Sequence, residues 1–115
     1  MRALSSALSK VDLRAHPREV VNRRAKALDG LFALDGTIRN ISPAGLLLSL
    51  PGRTPSAEEF VVVDLDVGHA YLCKLVWRKG PDHGMRILKS QELRGLVPGQ
   101  FDPARRIWRQ AARGR

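Results

Sequence analysis

Glycine and proline cut this chain into short pieces, and that punctuation limits what it can fold into. Breaks fall at Asp29-Gly30, Asp35-Gly36, Pro43 to Gly45, Pro51 to Ser56 and Lys79 to Gly84. Between them lie short segments rich in apolar and β-branched residues: Val20–Leu28, Leu31–Ile41, Leu46–Leu50, Phe60–Asp66, His69–Arg78 and Met85–Leu88. Each has strand length, and six strands joined by Gly/Pro turns predict an all-β body, either an antiparallel barrel or a sandwich. At 115 residues and 43% apolar the chain supports one core. The expected organisation is an N-terminal arm at 1–13, a β body over 14–90 and a basic helical segment over 91–115.

Local signals refine this outline. Asp29-Gly30 predicts a hairpin between the first two strands. Asp35-Gly36 predicts a bulge or kink within the second. Leu46–Leu50 is continuously apolar and is expected to be buried. In the fifth strand Tyr71, Cys73, Leu75 and Trp77 alternate onto one face, which places all four in the core. Leu4, Leu8 and Val11 give the arm a brief helical spacing, and Pro17 keeps His16 extended. Near the C-terminus Asp102-Pro103 reads as a helix N-cap followed by proline at the first helical position. Ala104, Ile107, Trp108, Ala111 and Ala112 then share one helical face, with Trp108 expected to anchor it on the β body.

Charge narrows the partners. The net charge is +9, with +4 in residues 1–30, −1 in 31–85 and +6 in 86–115. A near-neutral body with basic ends fits an anionic partner: nucleotide, nucleic acid or membrane surface. Exposed aromatic residues for stacking on nucleic acid bases are expected to be scarce, because there are three Phe, two Trp and one Tyr and several of them are claimed by the core. The single Cys73 excludes an internal disulfide and fits a reducing compartment. No apolar run is long enough to span a bilayer, and residues 1–13 lack the apolar segment of a signal peptide, so a cytoplasmic protein is expected. His16, His69 and His83 lack metal-ligand spacing, and no nucleophile elbow, P-loop or zinc-protease motif occurs. Neither an enzyme nor a metal protein is expected.

One constellation remains. Asn40-x-Ser42-x-x-Gly45 forms a polar turn leading into an apolar strand, where a glycine permits close approach or a positive φ. Asn40 and Ser42, two apart in extended chain, are expected to point the same way. Upstream, Arg14 and Arg18 form an RxxxR pair ahead of the first strand. The same spacing recurs at Arg105/Arg109 and Arg109/Arg113, but there it marks one solvated face of a helix.

The RxxxR pair, the NxSxxG turn, the late Val76-Trp77 strand and Gly84-Met85-Arg86-Ile87 together resemble the PilZ domain, the bacterial receptor module for cyclic di-GMP. The resemblance covers roughly residues 12–90, with Ile87 where the family often has Phe. It implies a six-stranded antiparallel β-barrel with a C-terminal α-helix. Cyclic di-GMP would then lie between the Arg14/Arg18 arm and Asn40, Ser42 and Gly45, with Arg39, Trp77 and Arg86 as secondary contacts. Arginine suits such a ligand, because its fork grips phosphate, pairs with guanine O6/N7 and stacks on bases. Asn40 offers one acceptor oxygen where the family's alternative aspartate offers two, which lowers the expected affinity. Leu13 stands where an arginine accompanies binding of a stacked ligand pair, so one ligand per domain is implied. Ordering of the arm would present a surface to a protein partner. The alternatives are a small basic barrel that binds nucleic acid and a ligand-free adaptor of the same fold.

Overall fold

The computed structural model describes residues 18–30 and 32–113; the arm at 1–13, Leu13 and Arg14 lie outside the described residues. Six strands follow one another: β1 (Glu19–Asp29), β2 (Phe32–Ile41), β3 (Gly45–Ser49), β4 (Glu59–Asp64), β5 (His69–Lys79) and β6 (Asp82–Glu92). A 3-10 turn at Gly99–Phe101 leads into helix α1 (Asp102–Arg113). All pairings are antiparallel, in the order β1-β2-β3-β6-β5-β4, and β1 pairs back with β4 to close the ring. Every strand thus has a hydrogen-bonded neighbour on each side. Among the described residues no helix is long and apolar enough to cross a membrane.

Two apolar layers share the strands. Ile38, Leu46, Leu48, Val62, Cys73 and Met85 fill the inside of the ring. Val63, Ala70, Leu93, Phe101 and Ala104 form a second cluster, with Val61, Leu72 and Trp108 packed against it. This explains why Val61-Val62-Val63 lacks polar alternation: Val62 faces inward while its neighbours face the helix. Trp108 anchors α1 as expected, and the Arg94 guanidinium lies 5.4 Å from its ring centre. Phe101, only 2% exposed, contributes roughly 2–3 kcal/mol by its burial.

Several expectations are corrected. The Asp35-Gly36 pair makes no bulge, since β1 and β2 stay in register from Arg23/Ile38 to Asp29/Phe32. Gly36 instead accommodates the Ser49 carbonyl, which would lie 2.6 Å from a Cβ there. The irregularity in β2 falls at Arg39, between Ile38 and Asn40. β4 stops at Asp64 rather than Asp66, because its side chain binds the following turn. β6 runs from Asp82 to Glu92, far beyond Met85–Leu88, and carries the β body past residue 90. Asp102 is not a non-helical cap: the 3-10 turn delivers it already helical, at φ −61 and ψ −42. Its carboxylate instead pairs with Arg105 and Arg106 one turn on.

Candidate functional site

The β2–β3 connection is made by Ser42-Pro43-Ala44. The Ser42 N–H donates to the Gly45 carbonyl at 2.8 Å. Its hydroxyl oxygen accepts from the N–H groups of Ala44 and Gly45, at 3.3 and 3.2 Å. A short hydroxyl side chain can reach the backbone two and three residues on, so Ser42 has a structural duty in the turn. Gly45 opens β3 as extended strand and is not among the glycines with positive φ. What demands glycine is the neighbouring strand: a Cβ would sit 2.7 Å from the Met85 carbonyl oxygen.

Arg18, just ahead of β1, reaches this turn. Its Nη1 donates to Asn40 Oδ1 at 3.1 Å across 22 positions of sequence. Its Nη2 lies 4.0 Å from where a Gly45 Cβ would be. Arg18, Asn40 and Gly45 are therefore neighbours on the outer surface of the ring. The bulge at Arg39 turns Asn40 outward although Ile38, two residues earlier, faces the core. Arg39 is exposed and joins Asn40, Val20 and Leu47 in a shallow groove of about 650 Å³, with Asp82 at one side. Arg86 pairs in register with Gly45, and Lys74 pairs with Arg86 on the next strand. That row gives the outer face two more cations beside the turn.

Trp77 corrects the expectation that it belongs to the core. Alternation holds through Tyr71, Cys73 and Leu75, but a register shift between Leu75 and Trp77 turns the indole outward. Trp77 is 45% exposed and pairs with Gly84, which itself pairs with Leu47. A Cβ on residue 84 would fall inside the indole, so the ring lies against bare backbone.

Asn40 and Ser42 do not point the same way, because β2 ends at Ile41 and the turn breaks the alternation. Ser42 and Pro43 line a different concavity, an open one of about 390 Å³ at one mouth of the ring. Glu19, Arg23, His69 and Tyr71 line it too. Behind it Asp64, fully buried, receives Arg23 Nη1 at 3.1 Å and the N–H groups of Asp66 and Val67 at 3.1 Å each. Burial pushes the Tyr71 phenol up to about 12, and the Asp64 charge adds to the shift. Burial alone pushes the Cys73 thiol up to about 12, which keeps it protonated and unreactive at neutral pH. Sequence reasoning missed this mouth. The signal was there: Glu19 and Arg23 fall on the alternate set that includes Val21, Ala25 and Ala27, and charged residues at inward positions mark an open end.

Comparison of the chain with protein-family models, curated proteins and solved structures finds no match.

Proposed function

We propose that this chain is a PilZ-type β-barrel that binds cyclic di-GMP on its outer face and passes the binding event to a protein partner in the cytoplasm. The observation that carries the reading is the meeting of Arg18, Asn40 and Gly45, far apart in sequence, at one turn. A doubly charged cyclic dinucleotide needs cations for its phosphates and small polar groups for its base edges. The Arg18 fork, Arg86 and Lys74 supply the first, and Asn40 supplies the second. Arg14, on the same arm, is assigned the second fork of the pair. Trp77 offers an aromatic surface two strands away, suited to stacking one base. The turn hydrogen bonds of Ser42 position the site, and its hydroxyl is assigned a ligand contact as well. This reading gives no residue a catalytic role.

Calorimetric titration with cyclic di-GMP tests it, with GTP and linear diguanylate as controls. The wild type is expected to bind the cyclic ligand alone. Arg18→Ala should lose a charge-assisted contact worth about 1.5–3 kcal/mol, roughly ten- to a hundredfold in Kd. Equal affinity in the two proteins would end the assignment of Arg18. One observation favours a second reading, a nucleic-acid-binding barrel: Trp77 is exposed on the same outer face as Lys74, Lys79 and Arg86. That reading requires binding of single-stranded oligonucleotides with a steep salt dependence.

A further inference from the structure

Apart from Ser42, the concavity at the mouth of the ring has no residue in common with the outer-face site, and the two meet at one turn. Ser42 and Pro43 line the mouth, while Asn40 before them and Gly45 after them belong to the outer face. The chain itself divides in the same way upstream: Arg18 goes outward to Asn40, and the next residue, Glu19, lines the mouth. The concavity, about 390 Å³ and open to solvent, falls in the size range of small-ligand sites.

Its chemistry is specific. Ile41, Ile87 and Pro43 supply apolar wall. Glu19 supplies a carboxylate at the rim and Arg23 a guanidinium deeper in, one quarter exposed, whose bond to Asp64 uses Nη1. His69, also in the lining, has a buried Nδ1 with no hydrogen-bond partner among the described residues. A buried polar atom without a partner is costly, and a ligand atom can relieve it. Apolar side chains, an acceptor-only carboxylate and a donor-only guanidinium together match a heterocycle with an apolar face, adjacent N–H donors on one edge and acceptors on another. Guanine has that pattern: N1–H and N2–H₂ face a carboxylate, while O6 and N7 accept from arginine. Adenine presents an acceptor at N1 where guanine presents a donor, so the same carboxylate rejects it.

We infer that the mouth cavity is a guanine pocket, in which Glu19 reads the Watson–Crick edge and Arg23 the O6/N7 edge of one base of the bound dinucleotide. The inference rests on the cyclic di-GMP reading and adds the origin of base specificity to it. The second base and the phosphates stay on the outer face with Arg18 and Asn40, and the Ser42–Gly45 turn is the saddle between the two.

The test compares cyclic di-GMP with cyclic di-AMP by calorimetry on the full chain, for the wild type, Glu19→Gln and Ser90→Trp. Glu19 is exposed, so its substitution leaves the core intact, and Arg23 is left unchanged because it holds the buried Asp64. Ser90 also lines the cavity and is exposed, so an indole placed there obstructs the mouth without entering the core. Glu19→Gln is expected to weaken cyclic di-GMP binding at least tenfold while leaving cyclic di-AMP unchanged, so discrimination collapses; Ser90→Trp is expected to weaken cyclic di-GMP binding by a similar factor. If the wild type binds cyclic di-GMP and both variants match it in affinity and discrimination, the guanine pocket is refuted and the outer-face reading stands. If the wild type binds neither dinucleotide, the receptor reading itself fails.

Discussion

Gly84→Ala should lift Trp77 off the sheet. A Cβ at residue 84 falls inside the indole, and no small shift of the ring accommodates it. The indole is 45% exposed, so it can swing into solvent while the backbone of β5 and β6 stays paired. The cost is then bounded by the packing lost. An aromatic side chain buries 150–250 Å² when fully covered, and about half of that is roughly 100 Å². At about 25 cal/mol per Å² the loss is at most ~2.5 kcal/mol. For a domain of this size each kcal/mol moves the melting temperature by about 4–8 °C. The two tryptophans are separated by working in a Trp108→Phe background, where all indole emission comes from Trp77. In that background Gly84→Ala is expected to red-shift the emission, lower the Tm by about 5–15 °C and weaken any change in Trp77 emission on adding cyclic di-GMP. Unchanged emission and an unchanged melting temperature would refute the placement of the ring on Gly84.

Other outcomes follow from the buried polar groups. Arg23→Ala leaves the fully buried Asp64 without its cation. Because a quarter of the Arg23 side chain is exposed, the expected loss is about 2–3 kcal/mol, below the 3–5 of a fully buried pair. Urea denaturation checks this, and Asp64→Asn added to Arg23→Ala should recover part of the loss. The single tyrosine and single cysteine predict an alkaline transition. Both groups are held protonated in the fold, to about 12, against 10.0 and 9.0 for the unperturbed phenol and thiol. Between these values the unfolded chain binds fewer protons than the folded one, so stability is complete below pH ~9 and falls as pH rises toward ~12. Ultraviolet titration of Tyr71 should show ionisation near 12, and a thiol reagent at pH 8 should modify Cys73 only after denaturant is added. Ionisation of Tyr71 near 10 in the folded protein would show that it is not buried against Asp64.

Period-two patterning and Gly/Pro punctuation place five of the six strands to within a few residues, and helical spacing places α1. The sixth strand is harder to see because Asp82-His83-Gly84 has the composition of a turn. In the fold His83 is buried with its Nδ1 2.8 Å from the Pro81 carbonyl, and Gly84 is the bed of Trp77, so both serve the strand rather than a turn. Bulges leave no mark on a period-two count. The irregularities at Arg39 and between Leu75 and Trp77 therefore decide which way Asn40 and Trp77 face, and alternation alone puts Trp77 in the wrong layer. The approach of Arg18 to Asn40 and Gly45 is implied only by the family resemblance, because neither periodicity nor an RxxxR spacing shows which turn an arginine ahead of the first strand will reach. That resemblance does not divide Asn40 from Ser42 between two concavities, since that depends on where β2 ends.

The most direct test of the central claim is a nitrogen–proton NMR titration of the wild-type chain with cyclic di-GMP. The largest shifts are expected at the Arg18 Nε–H, the Asn40 side-chain amide and the backbone N–H groups of Gly45 and Arg86, saturating together at one ligand per chain. Shifts confined to α1 and the Arg94–Gly99 loop, or none at all, would contradict it.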